Sequence, residues 1–180
     1  MIFTPSPLVS AYVIELDRRG DDRGWVARSF CAREFEEHGL SSHFVQANTS
    51  RSAEPGTMRG LHYQTGQHAE AKLMRCIQGA TWNVIADLRP DSATYGQSFG
   101  VELSAETGKQ LFVPRGFANG FLTLKPDTIA AYMSDNYYEP DAEAGLRFDD
   151  PSLGFEMPIP VTTVTDKDRS WPLFETIKER

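Results

Sequence analysis

Three things are scarce in this sequence: cysteine, long apolar runs and surplus positive charge. Only two cysteines occur, Cys31 and Cys76, too few for a disulfide framework, and the plain reading is reduced thiols in a cytoplasm. No apolar run approaches the roughly 20 residues that a membrane-spanning helix needs, so no membrane partner is expected. The opening MIFTPSPLVS has neither the basic nor the apolar segment of a secretory signal. Lys and Arg number 18 against 25 Asp and Glu, a net charge of −7, which disfavours a nucleic-acid or anionic-lipid surface. Histidine is sparse too: His38, His43, His62 and His68 are all there is, and all lie in the first 68 residues.

What is present is the material of one folded domain spanning residues 1–180. Hydrophobic residues make up 40%, including 11 Phe, enough for a core that a disordered chain would lack. One short helix is predicted, over Cys31–His38, where Phe35 sits among charges and Gly39 follows as a stop. Elsewhere the apolar period is near two. Strands are predicted at Tyr12–Leu16, Lys72–Ile77, Thr81–Leu88, Ser98–Leu103, Gln110–Val113, Phe121–Leu124 and Thr128–Met133, with Gly, Pro and Asp between them. That pattern gives an all-β sandwich or barrel with a few short helices. The proline-rich stretch 149–160 is expected to wrap around it without regular structure.

His62 is the histidine with a chemical context. It lies in Met58-Arg59-Gly60-Leu61-His62-Tyr63-Gln64, and on a strand Gly60, His62 and Gln64 would share one face, able to line a cavity. His38 and His43 sit among polar neighbours and read as surface residues. Gly108, Pro114, Gly116 and Asn119 reproduce the spacing of the second cupin motif, in which a histidine normally stands last. A metal cupin needs three or four ligands. His62 alone cannot hold a metal, and His68 and Glu70 have the wrong spacing to help. A metal-dependent oxygenase is therefore disfavoured, and no metal or other cofactor is expected.

Further strings sharpen the resemblance. Asp22-Arg23-Gly24, Gln46-Ala47-Asn48-Thr49-Ser50, Arg59 to Gln64, Lys72-Leu73, Asp87-Leu88-Arg89, Pro114 to Ala118, Tyr137-Tyr138-Glu139-Pro140, Asp150-Pro151 and Asp166-Lys167-Asp168 occur in this order. Together they resemble the dTDP-4-dehydrorhamnose 3,5-epimerase family across residues 14–172. The resemblance implies a metal-free cupin jelly roll (a double-stranded β-helix), a homodimer and a nucleotide-diphosphate sugar substrate. It also implies roles. His62 would be the base, Asp168 its carboxylate partner, Tyr132 the acid on the opposite face of the sugar, and Lys72 the cation beside the C4 oxygen. Arg23 and Arg59 would bind the diphosphate, and Gln46 and Asn48 would line the same pocket. The chemistry is coherent: removing a proton beside a ketone needs a placed base, a stabilised enolate oxygen and an acid across the ring.

Four positions depart from the family's pattern. Asn83 and Asn119 stand where it has aspartate and histidine, a pair that could still exchange hydrogen bonds but not titrate. Val26 and Arg28 stand where it has an aromatic and a glutamate that contact thymine, which suggests GDP or CDP, or a loosely held base. The expected function is an epimerase inverting C5, C3 or both in a nucleotide-linked 4-keto-6-deoxy-hexose, for polysaccharide or deoxysugar synthesis. The alternatives are an ordinary dTDP-4-dehydrorhamnose 3,5-epimerase and, from another class, a non-catalytic sugar-nucleotide-binding cupin.

Overall fold

The structure, a computed structural model, describes residues 1–178. In chain order the strands are β1 (Ile2–Pro5), β2 (Tyr12–Glu15), β3 (Arg19–Asp21), β4 (Gly24–Val26), β5 (Gln46–Ser52), β6 (Met58–Gln64), β7 (Lys72–Gln78) and β8 (Ala80–Asp87). They continue with β9 (Ser98–Ser104), β10 (Gln110–Val113), β11 (Phe117–Thr123), β12 (Thr128–Ser134) and β13 (Glu143–Gly145). Three short helices complete the set: α1 (Ala32–Glu37), α2 (Asp166–Ser170) and α3 (Phe174–Lys178).

Two antiparallel sheets, in the orders β1-β2-β10-β7-β12-β5 and β13-β6-β11-β8-β9, face each other as a jelly roll. Their inner faces carry Met74, Cys76, Ile85, Leu103, Leu111, Phe117, Phe121 and Ala130, with Tyr132 packed at the edge of this core. Strand alternation sends the other parity outward, where it is covered rather than solvated. Phe35 of α1 closes over Ile14, Leu73 and Phe112 on the outside of the larger sheet. The chain after Leu146 lays Leu153, Phe155, Met157, Ile159, Val161 and Val164 across Met58, Leu61, Val84 and Leu122 on the smaller one. Full burial of each such aliphatic chain stabilises the fold by about 1.5–3 kcal/mol. That covering segment also determines where α2 sits, and hence where Asp168 sits.

All seven predicted strands form, most within a residue or two at each end. The exception is the strand predicted from Phe121, which starts at Phe117: Asn119 and Gly120 have low strand propensity, but pairing on both sides with β6 and β8 carries them. The predicted helix is α1, and 149–160 holds only one turn of 3-10 helix, at Pro151–Leu153. β5 escaped prediction because its sequence, QANTSRS, is polar, as befits an edge strand with most of its residues partly or fully exposed.

One expectation is corrected by the register of β6. Asn119 lies opposite His62, but Phe121 lies opposite Arg59, so Gly60 and Leu61 together face Gly120. This extra residue breaks the period of two. Arg59 joins His62 at the cavity in the place that strict alternation assigns to Gly60. Only glycine suits position 60: φ is +115°, and a Cβ there would lie 2.6 Å from the Gly120 Cα.

Candidate active site

The cavity lies between the two sheets, with β6 and β11 on one side and β7 and β12 on the other. A main chamber of about 510 Å³ is lined by Arg59, His62, Lys72, Asn119, Tyr132 and Asp168, among others. A second of about 380 Å³ adds Gln46, Asn48, Gln64, Glu70, Tyr138 and Glu143. His62, Lys72 and Tyr132 line both.

His62 and Asp168, 106 positions apart in sequence, meet at 2.6 Å between Nε2 and Oδ1. An ionised carboxylate only accepts, so Nε2 carries the hydrogen and Nδ1 keeps its lone pair. Asp168 is itself held on three sides. Its Oδ2 accepts from the Gly60 amide at 3.2 Å, its Oδ1 also takes the Trp171 indole N–H at 3.4 Å, and its own amide donates to the Thr165 hydroxyl that caps α2. Burial works against this carboxylate's charge, but the His62 interaction and the Gly60 and Trp171 bonds outweigh it and hold its pKa below the ordinary value. Trp171 packs edge-on to the His62 ring, 6.3 Å between centroids, and its indole occupies the space that a side chain at Gly145 would fill. The ring is thus fixed from behind and open toward the cavity.

Tyr132 and Lys72 come from the other sheet. Lys72 Nζ donates to Glu70 Oε1 at 3.0 Å and to Asn119 Oδ1 at 3.1 Å, and lies 5.5 Å from the centre of the Tyr132 ring. Burial, followed by the negative charge of Glu70, pushes the Tyr132 phenol upward, against the opposing pull of Arg59. Tyr132 is therefore a protonated donor at neutral pH.

The remaining expectations divide. Gln46, Asn48, Arg59 and Asn119 line the cavity. Arg59 has no carboxylate partner among the described residues; its side chain reaches only the Ser52 hydroxyl, at 3.4 Å. Arg23 and Arg28 do not line it. Arg23 lies in the turn of the projecting β3–β4 hairpin, 89% exposed and paired with Asp21, and Arg28 is paired with Glu34. Val26, 78% exposed, likewise lies away from the cavity. The anticipated Asn83–Asn119 exchange is also corrected. Asn83 is buried and donates to the Thr81 hydroxyl at 2.8 Å, whereas Asn119 serves Lys72 and its amide donates to the Met74 sulfur. The cations that line the main chamber are Arg59, Lys72 and Lys167.

Lys167, Glu143, Glu70 and Trp171 were not assigned to the site by sequence reasoning. Lys167 pairs with Glu143 at 2.8 Å, and Glu143 also accepts from the Tyr138 hydroxyl at 2.6 Å. The one available signal was Thr165-Asp166-Lys167-Asp168, an N-cap threonine three residues ahead of an acid, which announces a helix start. Gln64 serves the frame: its amide bridges the carbonyls of His68 and Tyr137, and its oxygen accepts from the Glu139 amide. Chemically, the cavity has a fixed imidazole on one wall, a phenol and an ammonium on the other, and an exposed guanidinium without a carboxylate partner among the described residues.

The chain matches the family described as dTDP-4-dehydrorhamnose 3,5-epimerase over residues 5–176. It is 40% identical over 173 residues to the dTDP-4-dehydrorhamnose 3,5-epimerase of Sinorhizobium fredii, covering 96% of this chain and 89% of that protein. The crystal structure of the Bacillus anthracis enzyme of the same name, with TDP and PPi bound, superposes with a TM-score of 0.92 at 42% identity, covering 96% and 99% of the two chains. A 3′-monoepimerase from Streptomyces bikiniensis, in complex with dTDP-quinovose, gives 0.89 at 28% identity, covering 97% and 89%.

Proposed function

This chain belongs to the dTDP-4-dehydrorhamnose 3,5-epimerase family, and from that membership and the cavity's geometry we propose how it works as an isomerase of nucleotide-linked 4-keto-6-deoxy sugars. The observation that carries the mechanism is the His62–Asp168 pair facing Tyr132 and Lys72 across one cavity. His62 Nδ1 removes the proton from the carbon next to the ketone. Asp168 stabilises the imidazolium that forms. The Lys72 ammonium sits by the C4 oxygen as it becomes an enolate, and Tyr132 delivers a proton to the opposite face. A placed acid or base contributes on the order of 10²–10⁴-fold, and a donor at the developing oxyanion about 3–4 kcal/mol.

Arg59, the exposed guanidinium of the cavity, binds the diphosphate, and Gln46, Asn48 and Asn119 contact the sugar nucleotide. The nucleotide is dTDP: the matching family is described by a dTDP sugar, and two related structures carry TDP or a dTDP-sugar. The protein acts as a cytoplasmic homodimer. The β3–β4 hairpin belongs to neither main sheet and exposes Trp25 and Val26, an apolar surface suited to a second copy, where Arg23 and Arg28 then contribute to binding.

The test is incubation with dTDP-, GDP- and CDP-linked 4-keto-6-deoxy-hexoses in D₂O. Deuterium entering the dTDP sugar at C5, C3 or both is expected, with inversion at each labelled carbon. No exchange with any of the three would favour the non-catalytic sugar-nucleotide-binding alternative.

A further inference from the structure

The donors on Lys72 can be counted. An ammonium has three N–H groups. One reaches Glu70 and one reaches Asn119, which leaves one for a ligand oxygen in the cavity. Of the two protein acceptors only Glu70 carries charge, because Asn119 offers a neutral amide oxygen. The Lys72 and Glu70 side chains are 11% and 10% exposed, so solvent screens the pair weakly. Glu70 also lines the chamber that holds Tyr132. The motif reading had considered it only as a badly spaced metal ligand.

We propose that Glu70 is a positioning residue of the reaction centre: it anchors the Lys72 ammonium beside the substrate's ketone and places a fixed negative charge in the chamber that Tyr132 lines. The inference rests on the roles assigned to Lys72 and Tyr132, and it adds a group that makes both usable at once. A free ammonium 5.5 Å from the Tyr132 ring would favour the phenolate, which cannot donate a proton. The Glu70 carboxylate offsets that charge without leaving Lys72 uncharged. Besides Glu70, Arg59 from β6 favours ionisation of Tyr132 and Glu143 from β13 opposes it, while His62 and Tyr138 line the same chamber. Glu143 is already occupied by Lys167 and the Tyr138 hydroxyl.

The test uses the full chain and two readouts. Glu70→Gln keeps an oxygen acceptor for Lys72 but removes the charge. The Tyr132 titration is isolated as the difference in tyrosinate absorbance with and without Tyr132→Phe, in wild-type and Glu70→Gln backgrounds. Ionisation of Tyr132 is expected to move down by about half a pH unit or more, with the basic limb of kcat moving in the same direction. Glu70→Asp should restore much of both. Glu70→Ala, which also frees the lysine, should lower kcat by about tenfold or more while KM changes less. An unmoved Tyr132 titration in folded Glu70→Gln overturns the proposal, whatever the activity. A titration that moves while Tyr132→Phe retains full epimerase activity leaves Glu70's electrostatic role standing and refutes Tyr132 as the acid, so the two ideas fail separately.

Discussion

Replacing Asp168 by asparagine is the sharpest single perturbation, because its two oxygens do different work. Oδ1 accepts from His62 at 2.6 Å and from Trp171 at 3.4 Å, while Oδ2 accepts from the Gly60 amide at 3.2 Å. Asparagine must put an NH₂ group in one of those places. Placed opposite His62, it forces the ring proton onto Nδ1, and the lone pair then points at residue 168 rather than at the cavity. Placed opposite Gly60, it sets donor against donor in a buried site, which costs about 1–3 kcal/mol. His62 then keeps only a neutral acceptor, roughly half as strong as the carboxylate. Either arrangement removes most of the benefit of a positioned base, so kcat should fall by about 10²–10⁴-fold with KM altered far less. Initial rates of deuterium entry, followed by NMR with circular dichroism as a fold control, measure this. A folded Asp168→Asn enzyme within about threefold of wild-type kcat would refute the reasoning, since no base that depends on this carboxylate could tolerate the change.

Tyr132→Phe should continue to exchange solvent deuterium into the substrate while losing inversion, which product analysis by NMR separates. Gly60→Ala would drive a methyl into the Gly120 backbone at 2.6 Å and require a strained φ; a loss of more than about 3 kcal/mol is expected in urea unfolding. Thr165→Ala removes the α2 cap at the residue that bonds the Asp168 amide, and should cost about 1 kcal/mol and some kcat, while Thr165→Ser should retain both. The Asp168 pKa is held below its unfolded value of 3.8, so its contribution to stability is complete above that pH and disappears as pH falls through the lower folded value. The stability difference between wild type and Asp168→Asn, measured by denaturant titration, should accordingly shrink in that acid range.

Much of the fold was legible because apolar alternation with turn residues reports β structure directly, as in Lys72–Gln78 and Thr128–Ser134. What escaped was structure decided by pairing rather than pattern: the polar edge strand β5, and the irregularity at Gly60 that turns Arg59 into the cavity. The site was legible through resemblance more than through physics. Nothing in periodicity joins His62 to Asp168, because the contact depends on how the segment after Leu146 lies across the smaller sheet. Glu70 and Lys167 were hidden for a related reason. A charged residue in a loop or a short helix reads as solvated until the fold shows it enclosed: Glu70 meets its near neighbour Lys72 inside the cavity, and Lys167 meets Glu143 from another part of the chain. Arg23 shows the converse: a motif can identify a residue type without placing it in the chain's own cavity.

The account's central claim is that His62 is the base. Its most direct test is deuterium incorporation into a dTDP-linked 4-keto-6-deoxy-hexose by the His62→Asn enzyme, with substrate binding checked separately by calorimetry. The account predicts a folded protein that still binds the sugar nucleotide but incorporates no deuterium at C5 or C3 above the uncatalysed rate. Exchange and inversion at the wild-type rate would contradict it.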